Sequence, residues 1–306
     1  MSVLISTGNV SHARQSHAAD LVLDLQARIH GWHHHHQQQL QQQQQHLEDQ
    51  NGDNWLNQHA KIIIPPNPDE PLFGSVQADV DITVKLFFPP NFGKSSRIPR
   101  QELLSSAIES LRDVFNSNSS SNSSSGSVSL VLSFPEITFS DNDGDEDDNE
   151  EEQDADEDNS KNIQEVLHLY AEAVNLGRKV GIAQFGVSEF STKRLRALIR
   201  YSKQESIDAP SIDQINLQDC CVLPPSLLKL AHENNIKLLA HNDPINIFPD
   251  ASVRHTLELI KGDKLVEHEA SGWKWAWLLR INGVISNRGI VDGLGWIVKY
   301  VNLDSI

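Results

Sequence analysis

Short β-rich runs alternate along this chain with stretches whose apolar residues recur at helical spacing, and no other feature limits the fold as tightly. The strand runs are Val3 to Gly8, which ends in a turn, Ile62 to Ile64, Ile82 to Phe88, Val128 to Phe134, Val180 to Val187, Ile212 to Leu217 and Ile236 to Ala240. Helical patterns fall between them at Ala18–Ile29, Arg100–Phe115, Asn162–Leu176 with Gly177 as its stop, Thr192–Tyr201, Pro225–Asn234, and Val253–Ile260 with Gly262 as its stop. A helix over Trp273–Arg280, a short strand at Val284–Ile285 and a last helix near Leu294–Tyr300 complete the expected series. Strand–helix alternation implies parallel strands joined by crossovers, which leaves a doubly wound open sheet or a (β/α)8 barrel. About eight strand candidates fit the barrel, and no strand runs into the Gly-x-Gly-x-x-Gly turn of a dinucleotide-binding open sheet. The expected fold class is therefore α/β, a (β/α)8 TIM-type barrel forming a single domain over 1–306. Its weakest unit is the second, where Pro65, Pro66, Pro68 and Pro71 leave little room for a helix.

Three segments interrupt this framework with compositions that cannot bury apolar surface: 31–54, rich in His and Gln; 116–127, almost wholly Ser and Asn; and 140–160, acidic throughout. They read as disordered insertions, because nothing in them offsets the entropy of ordering. The stretch Asp141–Asp158 alone holds thirteen carboxylates behind the net charge of -17, so the remaining body is only mildly acidic. No clustered basic face is available to neutralise a phosphate backbone or an anionic membrane surface, which disfavours nucleic acid and membrane as partners. No run approaches the length of about 20 apolar residues that spans a bilayer. The only cysteines are the neighbours Cys220 and Cys221, too few for a disulfide framework and consistent with a reducing, cytoplasmic location.

In a barrel, chemistry sits where strands end, so polar residues there carry the most weight. Lys85, inside the apolar run Thr83-Val-Lys-Leu-Phe87, either points into the barrel mouth or snorkels at a strand end. Cys220 and Cys221 follow a strand; they serve as small apolar fillers or, if exposed, as a site of redox modification or an intersubunit disulfide. His241, Asn242 and Asp243 form the densest polar cluster at a strand end, readable as acid–base equipment or as the turn chemistry of Asn-Asp-Pro. The four histidines His33–His36 beside a glutamine run read as compositional drift rather than a metal site, and no zinc-ligand spacing occurs elsewhere. A serine nucleophile elbow and a phosphate-cradling loop are both absent from the sequence.

The same residues carry a resemblance. Gln214-Ile-Asn-Leu-Gln-Asp-Cys-Cys-Val-Leu-Pro-Pro225 followed by Ile236-Lys-Leu-Leu-Ala-His-Asn-Asp-Pro244 closely resembles the regulatory (modifier, light-chain) subunit family of glutamate–cysteine ligase. Thr7-Gly-Asn9, Val84-Lys-Leu-Phe87, Gly186-Val-Ser188, Trp277-Leu-Leu-Arg280 and Ser286-Asn-Arg-Gly-Ile290 match in the same order. That family is similar to the aldo-keto reductases, which implies an aldo-keto reductase-like barrel. Such reductases use an Asp, a Tyr, a Lys and a His around the carbonyl, and of these only the Lys has a counterpart, Lys85. Tyr170, Tyr201 and Tyr300 fall in helical patterns far from the second β-unit, and Ser133 stands at the position of the His. On the cofactor side Ser188 and Gln214 match the residues that hold a nicotinamide amide, Glu189 replaces an Asn, and Arg288 is left to meet an anion.

The resemblance implies a non-catalytic subunit with a vestigial Lys85, no required cofactor, and at most weak NADP binding through Ser188, Gln214 and Arg288. It further implies a heterodimer with the catalytic subunit of glutamate–cysteine ligase, in which binding improves use of glutamate and relieves feedback inhibition by glutathione. Cys220, Cys221, His241, Asn242 and Asp243 are the expected partner-interface residues, and no metal is expected. Two other readings stay open: an NADP-dependent aldo-keto reductase, and a scaffold whose acidic tract binds a basic partner.

Overall fold

The computed structural model describes residues 2–7, 21–32, 61–64, 80–90, 98–117, 127–139, 157–216, 223–261, 272–285 and 290–302. Most of the three expected insertions, the cysteine pair and Arg288 lie outside these residues. The chain divides into two compact units, one made of Met1–Val76, Asn246–Asn282 and Asp292–Ile306, the other of Gln77–Ile245 and Gly283–Val291. Both mix helices and strands, so the α/β class holds.

In the first unit, strand β1 (Ser2–Ser6) pairs in parallel with β2 (Lys61–Ile64) and antiparallel with β9 (Ile290–Asn302), with β8 (Trp273–Ile285) beside β9. Helix α1 (21–32) buries Leu21, Leu25 and Ile29, spaced four apart on one stripe. The core is aromatic: Trp273, Trp275, Trp277, Trp296, Phe248 and Tyr300 are all buried, and the Phe248 ring meets Trp275 and Tyr300 edge-on, each at 6.1 Å. Thr7, in the Thr-Gly-Asn stretch, donates its N–H to the carbonyl of Trp296 at 3.0 Å and accepts the Trp296 N–H on Oγ1 at 2.9 Å.

Here three expected elements are corrected. Trp273–Arg280 and Leu294–Tyr300 are not helices but parts of the thirteen-residue strands β8 and β9, which also puts Tyr300 on a strand. Val284–Ile285 is the end of β8 rather than a strand of its own. Aromatic and β-branched residues such as Trp273, Trp275, Trp277, Val298 and Tyr300 suit a pleated surface, and β8 is buried on both faces, which erases the alternation that marks a half-buried strand. The antiparallel β1–β9 pair departs from the all-parallel barrel pattern, and among the described residues neither β2 nor β7 pairs with a further strand that would close a barrel.

The second unit keeps the expected alternation. Its strands β3 (Val80–Phe87), β4 (Val128–Ser133), β5 (Gln184–Ser188), β6 (Ile212–Asn216) and β7 (Lys237–His241) are parallel and in sequence order. Helices α2 (Arg100–Ser117), α3 (Glu157–Lys179), α4 (Thr192–Glu205) and α5 (Pro225–Glu233) connect them, and α6 (Asp250–Lys261) follows in the first unit. The last residues of the acidic tract, Glu157–Asp158, open α3 rather than continuing an insertion.

Gly177 does not stop α3, as the sequence suggested; it lies within the helix because a Cβ there would come within 2.6 Å of the Phe185 ring. The stop is Gly181, whose φ of 88° lets Ile182 donate to the Gly177 carbonyl and Gly181 donate to that of Arg178. The same pattern ends α4 at Ser206 and α5 at Asn235, with φ of 56° and 55°, and in each the next residue is again an isoleucine, Ile207 or Ile236. Three consecutive helices are thus turned back toward the sheet by one device.

Candidate functional site

The parallel register of the second unit aligns the carboxyl ends of its strands. Ser188 lies opposite Gln214, and Asn216 opposite His241. Lys85 of β3 is fully enclosed, with 1% exposure, and its Nζ donates to Ser188 Oγ at 2.9 Å and to Asp243 Oδ2 at 2.8 Å. A buried ammonium is tolerable only when paired and hydrogen-bonded, and the Asp243 carboxylate supplies the compensating charge. Lys85 is therefore enclosed and does not snorkel to solvent.

His241, the last residue of β7, sits between two carboxylates. Its Nε2 lies 2.5 Å from Glu189 Oε1 and 3.2 Å from Ser188 Oγ, and its Nδ1 lies 3.1 Å from Asp243 Oδ2 and 3.2 Å from the Asp243 backbone N. Glu189 is held in the left-handed region at φ 68°, unusual for a residue other than glycine. Its N–H is tied to the Gln214 carbonyl at 2.8 Å, and its carboxylate accepts the N–H groups of Phe139 and Asn216 at 3.0 and 2.9 Å. Asn216 in turn donates from Nδ2 to the Asp243 carbonyl at 2.9 Å, so the end of β6 and the segments after β4, β5 and β7 meet in one hydrogen-bonded knot.

Beneath it lies Asp213 of β6, fully buried. Burial, the strongest influence, pushes its carboxyl well above the usual range; the Phe190 N–H that it accepts opposes this, Glu189 adds to it, and Lys85 opposes it. Its Oδ2 and the amide oxygen of Gln214 have no hydrogen-bond partner among the described residues. The Tyr170 hydroxyl donates to the Asp208 carbonyl, and burial raises its pKa. Among the described residues no group of three His, Cys, Asp or Glu could hold a metal ion.

Of the residues singled out from sequence, Lys85, Ser188, Gln214, His241 and Asp243 come together here. His241 and Asp243 turn their side chains inward, whereas Asn242 between them is exposed. Cys220, Cys221 and Arg288 lie outside the described residues. Glu189, noted only as a replacement for Asn, is the hub of the site, and Asp213 and Asn216 were not singled out at all. The available signal was their position: each lies in or directly after a short strand run whose end faces the other polar residues.

This is a mixed α/β protein whose buried ionic cluster closes the carboxyl end of a parallel sheet. The particular likeness is to glutamate–cysteine ligase regulatory subunits, and the chain is homologous to them. It is 30% identical to the mouse subunit over 138 residues, 45% of this chain and 47% of that protein. The human subunit is 29% identical over 138 residues, again covering 45% and 47%. A putative regulatory subunit of the same enzyme from Schizosaccharomyces pombe is 28% identical over 253 residues, 81% of each chain. The chain therefore matches about half the length of the curated mammalian relatives. No family model matches it.

Proposed function

We propose that this chain is a non-catalytic regulatory subunit that binds the catalytic subunit of glutamate–cysteine ligase as a heterodimer in the cytoplasm. Binding improves the catalytic subunit's use of glutamate and relieves glutathione feedback inhibition in glutathione biosynthesis, a coupling between protein contact and active site. The observation that carries the reading is the state of Lys85. A reductase lysine works by acting on a neighbouring proton donor, but here the buried amine donates to Asp243 and Ser188. The names borne by the relatives point the same way.

Within this reading the five parallel strands β3–β7 belong to an aldo-keto reductase-like barrel that forms a single domain with the first unit, interrupted by solvated insertions. No cofactor is required, and any NADP binding through Ser188, Gln214 and Arg288 is weak. Exposed Asn242, set by His241 and Asp243 on either side, contacts the partner together with Cys220 and Cys221.

The decisive experiment measures initial rates of the purified catalytic subunit against glutamate, at fixed glutathione, with and without this protein. A lower apparent KM or relieved inhibition, with co-elution on gel filtration, is the expected result. No change and no co-elution, with both proteins folded, sinks the reading.

A further inference from the structure

The hydrogen-bond arithmetic around His241 defines a proton-operated switch. Ser188 has one hydroxyl proton, and Oγ donates it to the Gln214 carbonyl at 3.1 Å, so it accepts from Lys85 and has nothing to give the imidazole. Glu189 Oε1, at 2.5 Å from Nε2, is an acceptor, and it already takes the Asn216 N–H. The proton of the neutral ring therefore sits on Nε2 and points to Glu189. That leaves the lone pair on Nδ1 to accept the backbone N–H of Asp243 at 3.2 Å.

At 3.1 Å from the same Nδ1 lies Asp243 Oδ2, which can only accept. The two partners of Nδ1 are mutually exclusive: with a lone pair it holds the backbone N–H, and with a proton it holds the carboxylate. We infer that His241 is a pH-dependent latch that holds the Asn242–Pro244 turn through the Asp243 backbone N–H when neutral and through the Asp243 carboxylate when protonated. One proton taken from solvent onto Nδ1 makes an imidazolium that bridges Glu189 and Asp243, expels the Asp243 N–H, and shares Oδ2 with Lys85. The groups that face it are Lys85 from β3, Glu189 and Ser188 at the end of β5, Asp213 from β6 acting through Glu189 and Lys85, and Asp243 beyond β7. The turn so held carries exposed Asn242 and precedes Ile245, which is 80% exposed. The latch lies within one unit and acts whatever that turn binds.

The test is a pH titration of the full-length protein by NMR, following the ring nitrogens of His241 and the backbone amide of Asp243. At high pH the ring should be the Nε2–H tautomer. On acidification both ring nitrogens should become protonated while the Asp243 amide shifts with the same midpoint and exchanges faster with solvent. That amide movement should be lost in His241→Gln and kept in Asn242→Ala. An Nδ1–H tautomer at high pH, or an Asp243 amide that ignores the ring's titration, overturns the latch. If His241→Gln does not fold, the paired titrations in the parent protein still decide.

Discussion

The two units keep different things in their interiors. The first encloses Trp273, Trp275, Trp277, Trp296 and Tyr300; the second encloses Lys85, Asp213, Gln214 and Asp243 at the ends of parallel strands. Aromatic burial is favourable for any side chain of the right shape, because it scales with area removed from water. Burial of ions is favourable only when every member finds its partner. The difference teaches where to look for function: the first interior is explained by stability alone, whereas the second maintains a costly arrangement that stability does not require.

The largest expected effect breaks the first interior. Trp277→Ala, at a fully enclosed site, should destabilise the protein by about 3–5 kcal/mol in chemical denaturation, and no single second substitution should restore the loss. Lys85→Met should cost a comparable amount, about 3–5 kcal/mol, because it removes the ammonium that compensates the buried Asp243 carboxylate. Here a partner change should help: Lys85→Met with Asp243→Leu should recover much of the loss, and a double-mutant cycle measures the coupling. Failure of that rescue would make the ionic interior no more conditional than the aromatic one.

The third prediction concerns pH. The folded-state pKa of Asp213 is raised above its ordinary value of 3.8, so the folded protein binds this proton more tightly than the unfolded chain. The stability this contributes is complete below that value and is lost as pH rises from there through the folded pKa. Asp213→Asn should remove that part of the pH dependence, seen as a flatter plot of unfolding free energy from pH 4 upward, while keeping an acceptor for the Phe190 N–H. The smallest effect is Ser206→Gly. It should stabilise by roughly 0.5–1 kcal/mol, the left-handed penalty of an L-residue less the extra chain entropy of glycine. Its measure is a rise in denaturation midpoint without a change in slope.

The second unit was the more legible in sequence. Its strands are short apolar runs bounded by turn residues, and its helices carry clear stripes, so β3 to β7 fall close to their expected places. The helix over Trp273–Arg280 was misread because a strand buried on both faces has no period, and its density of apolar residues imitates a core helix. Gly177 was misread as a stop because sequence does not reveal that Phe185 packs against it. In the site, Lys85, His241 and Asp243 announced themselves as polar residues at apolar strand ends. Glu189 did not, because its role depends on a left-handed backbone and on three segments that only the folded chain brings together.

The Lys85–Asp243 pair closes a span of 158 residues. At a ribosomal pace of about 5–20 residues per second, Asp243 leaves the ribosome on the order of ten seconds after Lys85. For that interval the emerging β3 carries an ammonium that cannot be buried, so the nascent parallel sheet remains open at its polar end until β7 arrives. Synthesis order thus delays enclosure of this interior until nearly all of its strands are present.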